Sequence, residues 1–376
     1  MKILHLTHTD LRYDNRILKE LESLAEVDTF EINALGVKLE EGATHASRPI
    51  RAKIKNISLF SSKLSFMPKP IVYFFILLET SFRFFISAIK IRPAIIHCHD
   101  TMVLPVGTII KIFLNCKLIY DAHELESNKN GQSRILSKAT LIMEKACWRK
   151  IDHLISVSES IISWYNSNLG YKKATLILNS PLINQEYKVD SKRYFHELYN
   201  IPNEELVFVY LGYLGKGRSI EEILKVFSSP DISSHVVFVG YGEMTKSISK
   251  DQQQYVNIHL HDAIPHDEIV ATLKFADVGF CLIENVSLSD YFCLPNKLFE
   301  YTFAGVPIIA SDFPDISNLV KKYKLGKFCS LNLDSISKVV KEIEQNPPGR
   351  ITTDLKELGW ANQGEKLKNT YFNMMK

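Results

Sequence analysis

The chain has 376 residues, of which 46% are hydrophobic and 23% charged, with a mean hydropathy of −0.03. These values exclude a disordered or low-complexity chain, and the length exceeds what one hydrophobic core normally takes, so we expect two domains. The formal net charge of +3 is small and the sequence has no aromatic-basic signature of RNA binding, so we expect no nucleic-acid partner.

The chain opens with a short apolar run, Ile3-Leu4-His5-Leu6. Because the apolar core of a secretory signal is longer, we expect a first β-strand and a cytoplasmic protein. The six cysteines are scattered and form no C-x-x-C pair. We therefore expect reduced thiols in the core.

Short apolar runs alternate with helical stretches through the first half, which is typical of a parallel α/β sheet. The predicted strands cover 3–7, 30–35, 94–99, 117–121, 153–157 and 175–178. The predicted helices cover 14–26, 69–91, 101–114, 135–150 and 158–169. Together they predict a first Rossmann-like domain over residues 1–180.

The predicted helix 69–91 combines aromatic and basic residues. Residues 48–92 contain nine Lys and Arg against Glu79 alone. A membrane-spanning helix would place Glu79 and Arg83 near the bilayer centre at a cost of roughly 5–7 kcal/mol, whereas the same pair suits an i,i+4 ion pair on a helix surface. Two interpretations stay open: a core helix with a basic rim, and a helix on an anionic membrane surface.

After Asn179-Ser180-Pro181 and a polar stretch, the alternation starts again near Pro202. The predicted strands cover 207–211, 235–239, 256–260, 278–282 and 307–310, and the predicted helices cover 219–228, 266–275, 296–304, 316–322 and 333–345. This pattern predicts a second Rossmann-like domain over residues 201–350, followed by helices over 351–376 that could pack back on the first domain. Such sheets bind ligands at the carboxyl ends of their strands.

The most informative motif is Leu294-Pro295-Asn296-Lys297-Leu298-Phe299-Glu300-Tyr301, which precedes an internal strand, Pro307–Ala310. Proline suits the start of a helix, where the first amides have no internal partner. Those amides and the positive end of the helix dipole form an anion site suited to a diphosphate. Glu300 lies one turn further along, where a carboxylate can accept hydrogen bonds from sugar hydroxyls.

This motif, PNKLFEY followed by AGVPIIAS, resembles the donor-binding motif of family 4 of the retaining glycosyltransferases. Further segments resemble that family in the same order along the chain: 14–20, 97–100, 120–124, 212–218 and 239–243. The resemblance implies the GT-B fold, an α/β architecture of two Rossmann-like doubly wound domains with an interdomain cleft. It also implies that the first domain binds the acceptor and the second the nucleotide sugar.

The activity implied by the resemblance is retaining transfer of a sugar from a UDP- or GDP-sugar to a hydroxyl, with no metal and no cofactor. The implied acceptor is a saccharide, in particular a lipid-linked saccharide of a surface-polysaccharide pathway, and the implied location is the cytoplasm or the cytoplasmic face of the membrane. The implied catalytic residues are His123, Arg218 and Glu300; the implied donor-binding residues are Gly215, Gly242, Pro295, Asn296, Lys297, Leu298 and Glu300; the implied acceptor-side residues are Asp14, Arg16, His99 and Glu124.

Two positions depart from the family pattern. Tyr213 stands where many relatives carry an arginine, and Phe292 stands where many carry a second glutamate. A catalytically weak scaffold would explain both departures. Two further alternatives stay open: a nucleotide-sugar epimerase with the same fold, and a metallohydrolase. The last would draw its ligands from His97, His99, Asp100, His123 and Glu124.

Overall fold

The computed structural model describes residues 1–38, 51–64, 67–183 and 193–375, which form two compact units. The first unit comprises Met1–Leu178 and Ala361–Lys376, and the second comprises Asn179–Trp360. Each unit is built on one parallel β-sheet, which agrees with the predicted fold class. The limits differ from the predicted ones, since the second unit begins at Asn179 instead of 201 and ends at Trp360 instead of 350.

In the described part of residues 1–178, the first unit has seven parallel strands and five α-helices. The strands are β1 (Lys2–Leu6), β2 (Glu31–Val37), β3 (Lys53–Ile57), β4 (Ile95–His99), β5 (Lys117–Ala122), β6 (His153–Ser156) and β7 (Ala174–Leu176). The helices are α1 (Asn15–Ala25), α2 (Lys69–Ile91), α3 (Leu104–Leu114), α4 (Arg134–Trp148) and α5 (Glu159–Leu169). The strand order is β3-β2-β1-β4-β5-β6-β7, so the direction of winding reverses between β1 and β4.

The helix α2 is long and apolar enough to cross a membrane by length and composition. It nevertheless serves as the crossover between β3 and β4, and it buries only a narrow stripe of Thr80, Phe84 and Ala88. Glu79 pairs with Arg83 at 2.8 Å, as its i,i+4 spacing predicts, and accepts hydrogen bonds from the backbone before the helix. Most of the aromatic residues of α2 are exposed, so the interpretation of α2 as a core helix is wrong.

Within the described residues, the second unit has six parallel strands and eight helices. The strands are β8 (Val207–Leu211), β9 (His235–Val239), β10 (Ile258–His261), β11 (Val278–Cys281), β12 (Ile308–Ser311) and β13 (Gly326–Cys329). The helices are α6 (Tyr194–Tyr199), α7 (Ile220–Phe227), α8 (Thr245–Gln254), α9 (Ile269–Leu273), α10 (Leu288–Tyr291), α11 (Asn296–Phe303), α12 (Pro314–Tyr323) and α13 (Leu333–Gln345). The strand order β10-β9-β8-β11-β12-β13 reverses between β8 and β11.

The position of α11 on its sheet depends on Tyr301. The buried Tyr301 hydroxyl donates to Val209 O and accepts from the Leu211 amide, both at 2.8 Å, which ties the helix to β8. The Tyr301 ring covers Gly279 of β11, where a Cβ atom would lie 2.5 Å from the ring. A glycine in the strand thus lets α11 approach β8 and β11 at the reversal of strand order.

The last helix, α14 (Trp360–Met375), belongs to the first unit from Ala361 onward. Leu367 and Tyr371 are fully buried there. Gln363 Oε1 accepts from the Leu178 amide at 3.1 Å, and the Phe372 ring lies 5.2 Å from that of Phe30. The chain therefore returns to its first unit after the second is complete.

Candidate active site

Two glycine-containing loops lie side by side after β8 and β9 in the second unit. The Gly212 amide donates to Val239 O at 3.0 Å, and the Leu214 amide donates to Tyr241 O at 2.8 Å. A Cβ atom on Gly240 would lie 2.0 Å from Gly212 O, and one on Gly242 would lie 2.3 Å from Leu214 O. Glycine is required because the two backbones touch, so the loops present main chain at the carboxyl edge of the sheet.

Arg218 ends the loop after β8. Its Nη1 lies 3.6 Å from Asp290 Oδ1 of α10, and a third of its side chain is exposed. The backbone around it is held by Glu284, which accepts from the Ser219 amide through Oε1 at 2.9 Å and donates its own amide to Gly217 O at 3.1 Å. Glu284 and Asp290 both belong to the segment that follows β11. This segment and the loop after β8, which meet where the strand order reverses, therefore position the Arg218 guanidinium together. Asp290 was not identified from the sequence.

The helix α11 begins at Asn296, with Pro295 as the extended residue before it. The Leu298 amide was predicted to donate a hydrogen bond to the diphosphate. In the structure it donates to Pro295 O at 3.1 Å, so it already has an acceptor. The amides of Asn296 and Lys297 lie at the helix start, where no carbonyl of a preceding turn is available. The Asn296 side chain accepts from Asn179 Nδ2 at 2.9 Å. Two of the three predicted amides are thus placed for an anion.

Lys297 carries a cation into the same region. Its Nζ lies 3.7 Å from the centre of the Tyr210 ring, at the end of β8. This ammonium is buried and has no hydrogen-bond acceptor in the part of the chain that the structure describes. A buried ammonium that is stabilised only by a ring face lacks the acceptors that its three donors require.

Glu300 lies one turn into α11 and is buried, with Oε1 3.7 Å from Nδ1 of His266. Burial raises the pKa of the neighbouring Cys281 thiol to about 12; Lys297 and Arg218 oppose this rise, and Glu300 adds to it. Lys297, Arg218 and Glu300 are therefore all close enough to the end of β11 to influence the ionisation of Cys281. His266, which sequence reasoning missed, adds a half-exposed imidazole to this group.

The two departures from the pattern of the resembled family are aromatic residues that are not fully buried. Tyr213 is exposed, and its ring covers Gly215, where a Cβ atom would lie 2.3 Å away. Phe292 is half-buried beside Tyr291, with ring centres 5.5 Å apart. The positions where the resembled family often carries an arginine and a glutamate therefore hold an exposed aromatic ring and a packed one.

In the first unit the predicted acceptor-side residues divide into exposed and buried members. Asp14 caps α1 by accepting from the Ile17 amide at 3.2 Å and accepts from Thr9 Oγ1 at 3.0 Å. Glu124 is exposed. Arg16 is buried instead, since its guanidinium donates to Asp121 and to Ile177 O and lies 3.2 Å from Glu20. The structure thus gives Arg16 an internal ion-pairing position in place of the predicted acceptor-side one.

His99 is also buried, within a group of stacked side chains at the ends of β1, β4 and β5. His5 Nδ1 lies 3.0 Å from His99 Nε2, and His99 Nδ1 lies 3.2 Å from His123 Nε2. The Tyr371 hydroxyl of α14 lies 2.6 Å from His97 Nδ1 and 3.2 Å from His5 Nε2. His5 and Tyr371 were not identified from the sequence, because their partners lie far away along the chain.

Asp121 is the charge at the centre of this group. Burial would raise its pKa, but Arg16 and His123 hold the pKa well below its ordinary value. Burial would lower the pKa of His123, but the carboxylates of Asp100 and Asp121 raise it to about 10. His123 is therefore a half-buried imidazolium at neutral pH, suited to stabilise negative charge or to donate a proton.

The pKa values of the other three histidines in this group shift in the opposite direction to that of His123. Burial lowers the pKa of His5 and of His99, and it lowers the pKa of His97 to about 3. Glu20 is buried against Asp121, and burial raises its pKa to about 8. Of the four histidines, the charged one is therefore also the one that is partly exposed, His123. It lies next to Asp100, whose φ of +65° is unusual for a residue other than glycine.

Two sets of potential metal ligands occur in the described residues. Their ligand atoms lie within 4.8 Å of one another; the sets are His5, Glu20, His97 and His99, and His99, Asp121 and His123. Glu124, which was considered as a ligand, belongs to neither set. Most of the imidazole nitrogens already contact another imidazole or the Tyr371 hydroxyl, and Asp121 accepts a hydrogen bond from Arg16. A metal ion would therefore have to displace existing partners.

Comparison with known proteins agrees with this architecture. A sequence profile for the family described as glycosyl transferases group 1 matches residues 191–357, the segment that contains the loop of Arg218 and the helix of Glu300. No curated protein sequence is significantly similar to the chain.

Similar solved structures cover the whole chain. Sucrose-phosphate synthase from Thermosynechococcus elongatus has a TM-score of 0.78 at 15% identity and covers 100% of this chain and 99% of its own. Anabaena HepE in complex with UDP-glucose has a TM-score of 0.72 at 11% identity and covers 99% and 100%. The lipopolysaccharide outer core galactosyltransferase WaaB has a TM-score of 0.65 at 12% identity and covers 100% of both chains. At these identities the likeness establishes the fold, which is GT-B as predicted.

Proposed function

We propose that this chain is a retaining glycosyltransferase that moves a sugar from a UDP- or GDP-sugar to an acceptor hydroxyl without a metal ion. The bond from the anomeric carbon to the acceptor oxygen forms as the bond to the β-phosphate breaks, and the departing phosphate takes the acceptor proton. The observation that carries the proposal is the buried Lys297 ammonium without a hydrogen-bond acceptor among the described residues, at the edge where Arg218 and the start of α11 meet.

The donor side of this proposal rests on charge and main-chain geometry in the second unit. A diphosphate would supply the acceptor oxygens that Lys297 lacks and would suit the amides of Asn296 and Lys297. Arg218 would stabilise the charge that develops on the departing phosphate. Glu300 would accept hydrogen bonds from the ribose hydroxyls, and the glycine loops would lie against the phosphates.

The acceptor side of the proposal rests on the first unit. His123 would act beside the transferred sugar and the β-phosphate, since an imidazolium can stabilise the negative charge that develops on the departing phosphate. Asp14 and Glu124 lie on the same carboxyl edge and would contact the acceptor. Arg16 and His99 would act indirectly, because both are buried.

Glu300 gives the first test of donor binding. Glu300→Ala is expected to weaken the binding of UDP or GDP about tenfold to a hundredfold in calorimetry, because a carboxylate that accepts sugar hydroxyls is lost. Glu221→Ala, at an exposed position in the first turn of α7, is the control and should leave the affinity unchanged. Equal affinities for wild type and Glu300→Ala would remove Glu300 from the donor site.

The reaction class is tested with intact protein and a panel of UDP- and GDP-sugars. A transferase releases nucleotide diphosphate faster when a saccharide acceptor is added, and activity survives a chelator. An epimerase instead changes the sugar without an acceptor, which NMR of the sugar reveals. Activity lost with chelator and restored by metal would support the hydrolase, and donor binding without turnover would support the scaffold.

We further propose that the acceptor is a lipid-linked saccharide and that α2 holds the protein on the cytoplasmic face of an anionic membrane. Apolar residues on α2, among them Tyr73, Phe74 and Phe82, are 38–67% exposed. The Phe113 ring of α3 lies 5.2 Å from Phe85, so the apolar surface continues across two helices. Exposed basic residues accompany it: Lys63, Lys69, Lys90 and Arg92. Arg48, also part of this basic segment, lies outside the described residues.

Membrane binding is expected to depend on these aromatic residues. The triple variant Phe74→Ser/Phe75→Ser/Phe82→Ser should lose most of its co-sedimentation with phosphatidylglycerol vesicles, since each buried phenylalanine contributes about 1.5–3 kcal/mol. Tyr171→Ser removes an exposed ring outside α2 and α3 and should bind like wild type. Unchanged binding of a folded triple variant, or equal binding of the wild type to neutral vesicles, would contradict the proposal.

A further inference from the structure

The stacked side chains of the first unit form a continuous hydrogen-bonded series. We call His123, His99, His5, Tyr371 and His97, in this order, the histidine chain. Its four successive contacts measure 3.2, 3.0, 3.2 and 2.6 Å. All of its members except His123 are fully buried, so water does not compete for these hydrogen bonds.

The two ends of the histidine chain face the same carboxylate. Asp121 Oδ2 lies 3.4 Å from His97 Nε2 and 3.3 Å from His123 Nε2. The same oxygen lies 3.6 Å from His99 Nδ1, but that nitrogen is closer to His123 Nε2, at 3.2 Å. Glu20 Oε2 lies 3.9 Å from His97 Nε2. Arg16 and His123 hold the pKa of Asp121 well below its ordinary value, so this carboxylate only accepts hydrogens, and we place a hydrogen on each of the two nitrogens that face it.

With hydrogens on these two end nitrogens, one arrangement satisfies all the hydrogen bonds between them. Because His97 is neutral and carries its hydrogen on Nε2, its Nδ1 must accept, and the Tyr371 hydroxyl must donate to it. The Tyr371 oxygen then accepts from Nε2–H of His5. His5 Nδ1 in turn accepts from Nε2–H of His99, and His99 Nδ1 accepts from Nε2–H of His123.

We infer that Tyr371 is a positioning residue for His123: the C-terminal helix, through the histidine chain, holds the His123 ring with Nε2–H turned inward and Nδ1 turned toward the strand edge. His123 Nδ1 lies 3.6 Å from Asp100 Oδ1, and both side chains are partly exposed. It is therefore the ring nitrogen that can meet a ligand. This inference rests on the proposed function only for what that ligand is.

The wild-type protein tests the hydrogen assignment without any substrate. Nitrogen-15 NMR of histidine-labelled protein, or neutron diffraction, should show hydrogen on Nε2 and a bare Nδ1 in each of His5, His97 and His99, and hydrogen on Nε2 of His123. A hydrogen on Nδ1 of His5, His97 or His99, or stoichiometric zinc bound to these rings after zinc addition, would overturn the inference.

Tyr371→Phe tests the role of the C-terminal helix, because it removes one donor and one acceptor while the ring stays. We expect His5 and His97 to lose their single hydrogen arrangement and the His123 ring signals to shift. Tyr165→Phe is the matched control: Tyr165 is also fully buried in the first unit, but it donates to Glu144 Oε1 and lies outside the histidine chain. Its histidine signals should match those of the wild type.

Activity gives a second measurement. In sugar transfer, Tyr371→Phe should lower kcat about tenfold, equivalent to one hydrogen bond, with the donor KM within about twofold of wild type. Unchanged ring signals in a folded Tyr371→Phe protein would overturn the inference. If the predicted signals are found but no sugar is transferred, the proposed function fails and the histidine chain stands.

Discussion

Arg218→Ala is expected to reduce kcat for sugar transfer about a hundredfold to a thousandfold, the usual effect of removing one donor that stabilises developing negative charge. The guanidinium lies in a short loop whose backbone is fixed by Glu284, and its loose contact with Asp290 leaves it able to bind a phosphate. Arg218 is the sole arginine in the loop between β8 and α7, where Tyr213 stands at the position that carries an arginine in many members of the resembled family. The measurement is steady-state release of nucleotide diphosphate.

Two further variants separate charge from geometry in this test. Arg218→Lys keeps the positive charge but loses the planar, bidentate donor set, so it should recover only part of the activity. Lys216→Ala removes an exposed cation from the same loop and should change kcat by less than twofold. A loss below tenfold in Arg218→Ala would remove the arginine from the reaction.

Asp121→Ala is expected to lower the free energy of unfolding by about 3–5 kcal/mol, because it leaves the buried Arg16 guanidinium without its main partner. The remaining carboxylate, Glu20, lies 3.2 Å from Arg16 Nε, whereas Asp121 accepts from Nη2, so Glu20 leaves Nη2 without the acceptor that Asp121 supplied. The substitution also removes the acceptor that both ends of the histidine chain face. Urea unfolding followed by circular dichroism measures the change.

The control for this loss is an ion pair that remains in water. Glu31→Ala breaks the exposed pair with Lys53 on the neighbouring strand and should cost between about 0 and 1 kcal/mol. If Asp121→Ala costs no more than Glu31→Ala, then Arg16 finds another partner in the folded state, and the network is less constrained than its geometry indicates.

Apolar periodicity predicted most of the regular structure. The helices Lys69–Ile91 and Leu333–Gln345 and the strands Val207–Leu211 and His235–Val239 have their predicted limits, and all six cysteines are unpaired. Elements without a clear apolar pattern were missed. The edge strand β3, Lys-Ile-Lys-Asn-Ile, is largely exposed, and the polar helix α8 buries Ile248 alone. Periodicity cannot identify elements that bury so little.

The candidate site was predictable where its residues lie in one local motif. A loop motif predicted Arg218, and a helix-start motif predicted Lys297 and Glu300; each motif spans only a few consecutive residues. Asp290, His266 and Tyr371 were missed because their roles depend on partners brought close by the fold. The sequence also did not show that Arg16 and His99 are buried, because both lie in segments that resemble a family motif. In the structure, Arg16 faces the internal carboxylate of Asp121, and His99 faces two imidazoles.

The return of α14 to the first unit determines the order in which the protein can be completed during synthesis. Domains generally fold in the order of translation, N-terminal first. Here the first unit requires residues 361–375, which leave the ribosome only after the whole second unit. The first unit is thus begun early and finished last, and until Tyr371 arrives the surfaces of His5 and His97 remain open to water.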